Sequence, residues 1–478
     1  MAQFPFIGAA YKARAAVLAA EQCINLYPEI GNPTAKNVMA LIGTPGKRLW
    51  ANFPGGAVRG ALRFSAGVAV VVSGINVYLT GTGGVGTLIG TVTGGSTPVS
   101  MASNGTTVML VTGPTGYAIN PNAGTMAQIT DADFQGADSV AFVDGYFVFN
   151  KTGTSQFQIT QLYSTDIDTL DFASAEGAPD KLLSLLVDHR EVWLFGETST
   201  EVFWNSGNPD FPFERINGAF IENGTAAKYS PAKMDNSVYW LSFNDEGQGQ
   251  VLRAAGYQPE RVSDHGVEYA LGQMSRIDDA VGYAYQQEGH GFYVLTFPTA
   301  QQTWVFDSKT LMWHQRSYRN TGTGAYERDR AMCLMNFAGK LLVGDHSNGN
   351  VYQLDLDYFT DNGDLIPRVR ATPYVSNADY RFMVFDWLQV DMETGVGLSV
   401  ATGVSGNDPQ VILQWSDDGG KTWSNEHYAS AGKIGERRRR VRWRRMGRSR
   451  ARVYRVTVVE PVRVALVGAS VGVRVGAA

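Results

Sequence analysis

Two neighbouring stretches hold most of the residues whose types and spacing suggest chemistry. In SDDGGKTW, Ser416, Asp418, Gly420, Thr422 and Trp423 fall in the register Ser-x-Asp-x-Gly-x-Thr-Trp. A carboxylate at Asp418 can accept several backbone N–H groups across a tight turn, the glycines tolerate positive φ, and Trp423 is placed to plug the hairpin onto a core. Immediately downstream, GKIGERRRRVRWRRMGRSRARVYRV sets twelve Lys or Arg against a single acid, Glu436, between Lys433 and Arg455. The local charge is +11, against -16 over the rest of a chain whose total is -5. Such a run is a surface for phosphates, a complement to an acidic partner surface, or a solvated or internally paired strand face. Arg438, Arg440, Arg442 and Arg444 alternate with Arg439, Val441, Trp443 and Arg445 as they would along one strand, and Arg437, Arg448 and Arg450 extend the run.

Other candidate motifs read as turns. GTGGVG, Gly81 to Gly86, has the glycine spacing of a dinucleotide-binding loop, but the β-branched run TLIGTVTGG follows it where a helix would have to receive the pyrophosphate. TPGKR at Thr44 lacks the flanking residues of a phosphate-binding loop. The histidines, His189, His265, His290, His314, His346 and His427, are scattered, and none pairs at the i, i+4 spacing of a helical metal site. Cys23 and Cys333 stand far apart with no Cys-x-x-Cys, so we expect buried free thiols, no structural metal and no cofactor.

The elements that position these residues are strands. The chain has 478 residues, with 54 Gly and 54 aromatic side chains (10 Trp, 21 Tyr, 23 Phe), a composition that favours short strands and tight turns. A weak unit of alternating strands and polar turns recurs seven times, starting at Ala61, Pro98, Ser139, Leu182, Lys228, Ala280 and Arg330. That spacing is close to the roughly 40 to 50 residues of a four-stranded propeller blade. In GYFVFN (Gly145 to Asn150) and EVWLFG (Glu191 to Gly196) the alternation predicts one core face and one face outside it. The expected fold is all-β: a β-propeller of six or seven blades over residues 46–360, after an N-terminal arm (1–45) able to close the ring or reach a neighbour. Residues 361–478 then form a C-terminal β-sandwich-like domain with strands FDWLQVDM, QVILQWS, RVYRVTVV and VRVALVG. Lys12 and Arg14 interrupt the apolar N-terminus, which supports neither an export signal nor membrane insertion.

SDDGGKTW resembles the Asp-box hairpin of sialidases and related glycoside-binding propellers, where it is structural. One copy occurs, outside the repeats, and a sialidase-like hydrolase or carbohydrate-binding protein is the alternative reading; hydrolysis would need converging carboxylates, or a Tyr nucleophile with its acid. QCINLYPEI (Gln22 to Ile30), GETSTEVFWNSGNPDFPFERINGAFIENG (Gly196 to Gly224) and the SDDGGKTW–arginine block together resemble the packaged-DNA stabilisation proteins of short-tailed phages, the tail nozzle or hub component. The resemblance implies a non-enzymatic virion tail part, assembled in the bacterial cytoplasm as a homo-hexamer below the portal-adaptor. Its implied neighbours are a tailspike or tail fibre, a needle or plug, and the genome in transit. The arginine segment would then meet a neighbouring subunit or the adaptor, or line the DNA channel. The final SVGVRVGAA and the Ala-rich AAYKARAAVLAA have no assigned place in that picture.

Overall fold

The computed structural model describes residues 2–3, 5–14, 20–32, 34, 38–377 and 379–476. Seven antiparallel four-stranded blades follow one another, with inner strands Val58–Arg63, Ser100–Ser103, Val140–Val143, Leu182–Asp188, Ala232–Met234, Val281–Gln287 and Ala331–Phe337. Each recurrent unit in the sequence therefore maps onto one blade. Blade 7 has only three strands from its own unit; its outer strand is Gly46–Asn52, which runs antiparallel to Asn350–Asp355. That strand precedes blade 1, so the inner strands of blades 7 and 1 are brought into contact and the ring closes.

The alternation in the blades has a different meaning from the one the sequence suggests. The second strands are buried on both faces, as in Ala69–Ser73, Val108–Val111 and His290–Phe297. Each blade lies between two others, so alternate residues face successive interfaces rather than core and solvent. In Glu191–Gly196, Val192 and Leu194 pack with Val148 and Phe157 of blade 3, whereas Trp193 and Phe195 pack with Val238 and Trp240 of blade 5. Burying both faces of a strand roughly doubles its apolar contribution, at about 25 cal/mol per Å² removed from water.

Hairpins joining first and second strands use paired left-handed residues, Asp144-Gly145, His189-Arg190 and Asp235-Asn236, as a two-residue turn that matches strand twist demands. These turns also bond across blades. Arg190 Nε donates to Asp144 Oδ1 at 2.8 Å, and His189 Nε2 lies 2.7 Å from Asn236 Oδ1, linking blades 3, 4 and 5 along one rim. GTGGVG forms the turn between Asn76–Thr80 and Gly86–Thr91, and TPGKR spans the junction of Met39–Gly43 and Gly46–Asn52.

The arm is built into the C-terminal sandwich. Its strand Ala20–Ile24 lies between the outer strand of blade 6, Met312–Arg319, and the sandwich strand Arg368–Ala371, so one sheet continues from blade 6 through Ala451–Val458 to Gln410–Ser416 and His427–Ser430. The arm hairpin Leu26–Ile30 and Met39–Gly43 enters the opposing sheet, in the order arm hairpin, Ala465–Val475, Met383–Met392, Val441–Arg444. Asn25, at φ 55°, makes the crossing between sheets: its amide donates to Ser317 O and Pro367 O, each at 2.9 Å, and accepts from Ser317 N at 2.9 Å. The C-terminal SVGVRV belongs to Ala465–Val475, which pairs with Met383–Met392 along its length. Ala477 and Ala478, and residues 15–19 of the Ala-rich stretch, lie outside the described residues. No described helix is long and apolar enough to cross a membrane.

Candidate interaction surface

Among the described residues Val441–Arg444 is the last strand of its sheet and pairs only with Met383–Met392, which opposes Gln389 to Arg442 and Trp387 to Arg444. Val441 and Trp443 turn into the core; Arg442 and Arg444 turn outward. At Arg445 (φ 58°) and Gly447 (φ 75°) the edge bulges, and it resumes as Arg448–Ser449 against Met383 and Val384. The bulge re-aims the arginines without breaking the edge, since Arg445 N and Met446 N still donate to Asp386 O and Phe385 O at 2.9 and 3.1 Å.

The sequence predicted one alternating strand from Arg438 to Arg445. Only Val441–Arg444 is strand; Arg437, Arg438, Arg439 and Arg440 lie in exposed turns after Gly435. Gly432 and Gly435, at φ 93° and 84°, keep that stretch turning, and four adjacent guanidiniums with no apolar residue between them give no face to bury.

Aromatic rings back the basic edge. The Arg442 guanidinium sits 4.1 Å from the centre of the Trp387 ring, and Arg448 and Arg450 lie 5.3 and 4.8 Å from the half-exposed Phe382. Trp387 in turn packs closely against Gly472, where any Cβ would meet its indole at 2.2 Å. Among the described residues, none of Arg437, Arg438, Arg439, Arg440, Arg442, Arg444, Arg445, Arg448 and Arg450 has a carboxylate within ion-pair distance; Arg452 instead pairs with Asp417.

The Asp-box hairpin joins Gln410–Ser416 to His427–Ser430. Asp418 accepts from Lys421 N at 3.0 Å, Thr422 N at 2.9 Å, Thr422 Oγ1 at 2.6 Å and Ser416 Oγ at 2.7 Å, while Ser416 Oγ accepts from Gly420 N at 2.7 Å. Hydrogen bonds from Thr422, then Ser416, hold the Asp418 carboxyl well below the usual carboxylate range. All its acceptor capacity is spent on its own turn, which makes it a structural group. Trp423 does not plug into the core as the sequence suggested. It is half-buried, with the Arg455 guanidinium 4.0 Å above its ring, because the neighbouring strand opposes Arg455 to Gln414 and presents it on that face.

Cys23 is buried as expected, whereas Cys333 is only half-buried; desolvation pushes both thiols up to about 12. Among the described residues no group of three His, Cys, Asp or Glu is arranged to hold a metal. Sequence reasoning missed the aromatic backing, for which Trp387 within FDWLQVDM and Phe382 just before it were the available signal. It also missed the buried Arg370 and Arg452.

Among solved structures the chain is similar to the WD40 β-propeller domain of Doa1, at 13% identity over 65% of this chain and 97% of that one, TM-score 0.41. It is also similar to the N-terminal domain of Nup159 (10%, 70% and 99%, TM-score 0.40) and to the computationally designed Ika8 protein (13%, 70% and 100%, TM-score 0.38). A search of curated proteins gave no match. The family described as bacteriophage P22 Gp10, β-propeller, matches residues 2–359, and the one described as bacteriophage P22 Gp10, β-sandwich, matches residues 367–474. With both parts matched in order over nearly the whole length, the chain belongs to the bacteriophage P22 Gp10 family of phage stabilisation proteins, structural components of the virion tail.

Proposed function

We propose that this chain is the tail nozzle of a short-tailed phage: a hexameric ring, assembled in the host cytoplasm below the portal-adaptor, that extends the DNA channel and retains packaged DNA until ejection. A tailspike or tail fibre and a needle or plug would be its other neighbours. The carrying observation is the basic edge, whose guanidiniums find no carboxylate in their own described chain although the protein as a whole is acidic. Charges left unmatched on a folded protomer are the ones available to an assembly.

A wall for exiting DNA must not hold it. Every phosphate contact adds counterion-release free energy, and a ring multiplies each contact, so arginines facing the channel would slow ejection. Arginines facing protein carboxylates would instead be neutralised by bidentate pairs. The sheet shared by blade 6, arm and sandwich suits a part that bears load, because separating the two ends requires breaking strand pairing.

The test adds the full-length chain to heads that carry the portal-adaptor and reads two outcomes, a ring density by electron microscopy and protection of packaged DNA from nuclease. Ring formation with protection supports the nozzle reading. Heads that gain no density, or that gain density and still leak DNA, overturn it. The triple variant Arg438→Glu, Arg440→Glu, Arg442→Glu should fail to form rings; rings that form normally but lose DNA retention would place these arginines at the channel instead.

A further inference from the structure

Blade 3 carries the opposite feature. Between Thr152 and Asp180 the chain has no Lys or Arg and five acids, Asp166, Asp168, Asp171, Glu176 and Asp180. Three of them lie on or beside the outer strand Ile167–Ser174, which among the described residues pairs only with Gln156–Thr160 and leaves its other edge bare. Among the described residues Asp166, Asp168 and Asp171 accept only from uncharged donors, Ser164 Oγ, Leu170 N and Gln161 Nε2. Burial, then the neighbouring Asp168, raises Asp171, the sign of carboxylates that lack a cation. The same strand exposes Leu170 (79%) and Phe172 (39%), next to Leu162 (57%). An apolar patch rimmed by unmatched charge is the composition of a protein-binding surface rather than of a solvated rim.

The positions of the two edges matter as much as their charges. Blade 3 is three blades from blade 6 in one direction and three from blade 7 in the other. The sandwich is attached at blades 6 and 7, through Ala20–Ile24 and through the chain leaving Asn350–Asp355. The acidic edge is therefore on the side of the propeller away from the sandwich that holds the basic edge. Two complementary patches on opposite sides of one molecule make a head-to-tail contact, which propagates and closes into a ring if the rotation permits.

We infer that the basic edge Val441–Ser449 of one copy docks on the acidic outer strand Ile167–Ser174 of the next, with Arg442, Arg444 and Arg448 meeting Asp166, Asp168 and Asp171. The inference rests on the ring reading above and names the contact that builds the ring. Among the described residues both elements are bare strand edges, which evolution otherwise covers or blunts, and each has an exposed apolar side chain, Phe382 beside one and Leu170 on the other. Exposed charge pairs are screened by salt, so the contact gives register and rate of assembly while the apolar residues hold it.

Two full-length variants test this, Arg442→Glu/Arg444→Glu/Arg448→Glu and Asp166→Lys/Asp168→Lys/Asp171→Lys, each checked for wild-type circular dichroism and then followed by sedimentation velocity, alone and on adaptor-bearing heads. Each alone should lose ring species. Mixed together they should regain them, because in an alternating ring every contact is either wild-type on both sides or reversed on both sides. Only rings containing both variants should appear. If either variant alone still forms rings, or if the mixture remains monomeric, the docking contact is wrong while the nozzle reading stands. If the wild-type chain forms no ring on heads or in solution, both fall. If rings persist and only DNA retention is lost, the basic edge meets nucleic acid.

Discussion

Arg452 donates both arms of its guanidinium to Asp417, Nε to Oδ1 at 2.7 Å and Nη2 to Oδ2 at 2.8 Å, and is buried between the rings of Phe385 and Trp415. It stands two residues after Arg450, the last of the unpaired arginines, so one basic run divides into a group that serves the fold and a group that does not. Asp417→Ala should therefore cost about 2 kcal/mol of monomer stability, the scale of a charge-assisted hydrogen bond, because it leaves a buried cation short of its anion. Arg438→Ala or Arg444→Ala should shift stability by about 0.5 kcal/mol or less. Urea unfolding of the monomer measures both; equal effects would mean that the division is false.

Ring closure depends on a buried cation. Lys47, on the strand that completes blade 7, donates to Asp329 at 2.7 Å and lies 3.3 Å from Asp361. Burial pulls its ammonium down, and Asp329 with Asp361 outweighs it and lifts it to about 12. Lys47→Met strands two buried carboxylates and should cost about 3 to 5 kcal/mol at pH 7. Adding Asp361→Asn should recover part of the loss, since burial already pushes that carboxyl toward its neutral form. Chemical unfolding of the single and double variants gives the comparison.

Much of this fold can be read from the sequence because a blade repeats the same demands: apolar strand, left-handed turn, apolar strand. DGY at Asp144 and DHRE at Asp188 mark their hairpins as plainly as the apolar runs mark the strands. What alternation could not reveal was that Trp193 and Val192 face two different blades, because a period of two reports a change of face and not what covers each face. The arm was opaque for another reason. Ala20–Ile24 and Leu26–Ile30 are ordinary strands locally, and only the long-range bonds of Asn25 to Ser317 and Pro367 determine that they enter different sheets. The arginine edge was visible as charge, but its bulge at Arg445 and its lack of carboxylate partners are properties of the folded sheet.

Two histidines at the join of blade 6 and the arm should give stability opposite pH dependences. His290 Nδ1 is 2.8 Å from Asp307 and its Nε2 3.4 Å from Glu29; the bond to Asp307 raises it above its usual 6.5 despite burial. Its contribution is complete below pH 6.5 and is lost as pH rises through the raised value. His314 is fully buried, neither ring nitrogen has a hydrogen-bond partner among the described residues, and burial with Arg316 nearby drives it well below 6.5. It must fold neutral, so it opposes folding increasingly as pH falls below 6.5. His314→Leu should therefore gain stability over wild type at pH 5 more than at pH 8, and His290→Gln should lose more at pH 6 than at pH 9. Denaturation midpoints across that range would reject the assignment if the two variants changed in the same direction.

Arg370 fixes the start of the chain to the sandwich. Its side chain is wholly buried, with Nε donating to Phe6 O at 2.7 Å and Nη1 to Ala9 O at 2.8 Å and Gln22 O at 3.3 Å, while Glu21 stands 3.4 Å from Nη2. A single guanidinium thus satisfies carbonyls from two segments of the arm that do not pair with each other there. In Arg370→Met those carbonyls lose the guanidinium in an apolar setting, and the expected response is for residues 5–14 to lift into water, giving up the burial of Phe6 and Ala10 and the pairing of Tyr11–Lys12 with Ala20 and Glu21. Lys12 and Arg14 are exposed, and opening should extend the chain around them enough for trypsin to reach. An opening made easier by about 1.4 kcal/mol should raise the cleavage rate there about tenfold, because proteolysis follows the open population when closing is fast. Arg370→Lys keeps the charge but cannot fork, and should fall between. Mass spectrometry of timed digests reads the sites directly; if cleavage after Lys12 and Arg14 is unchanged in Arg370→Met while global unfolding shifts, the arginine supports the sandwich core and not the arm.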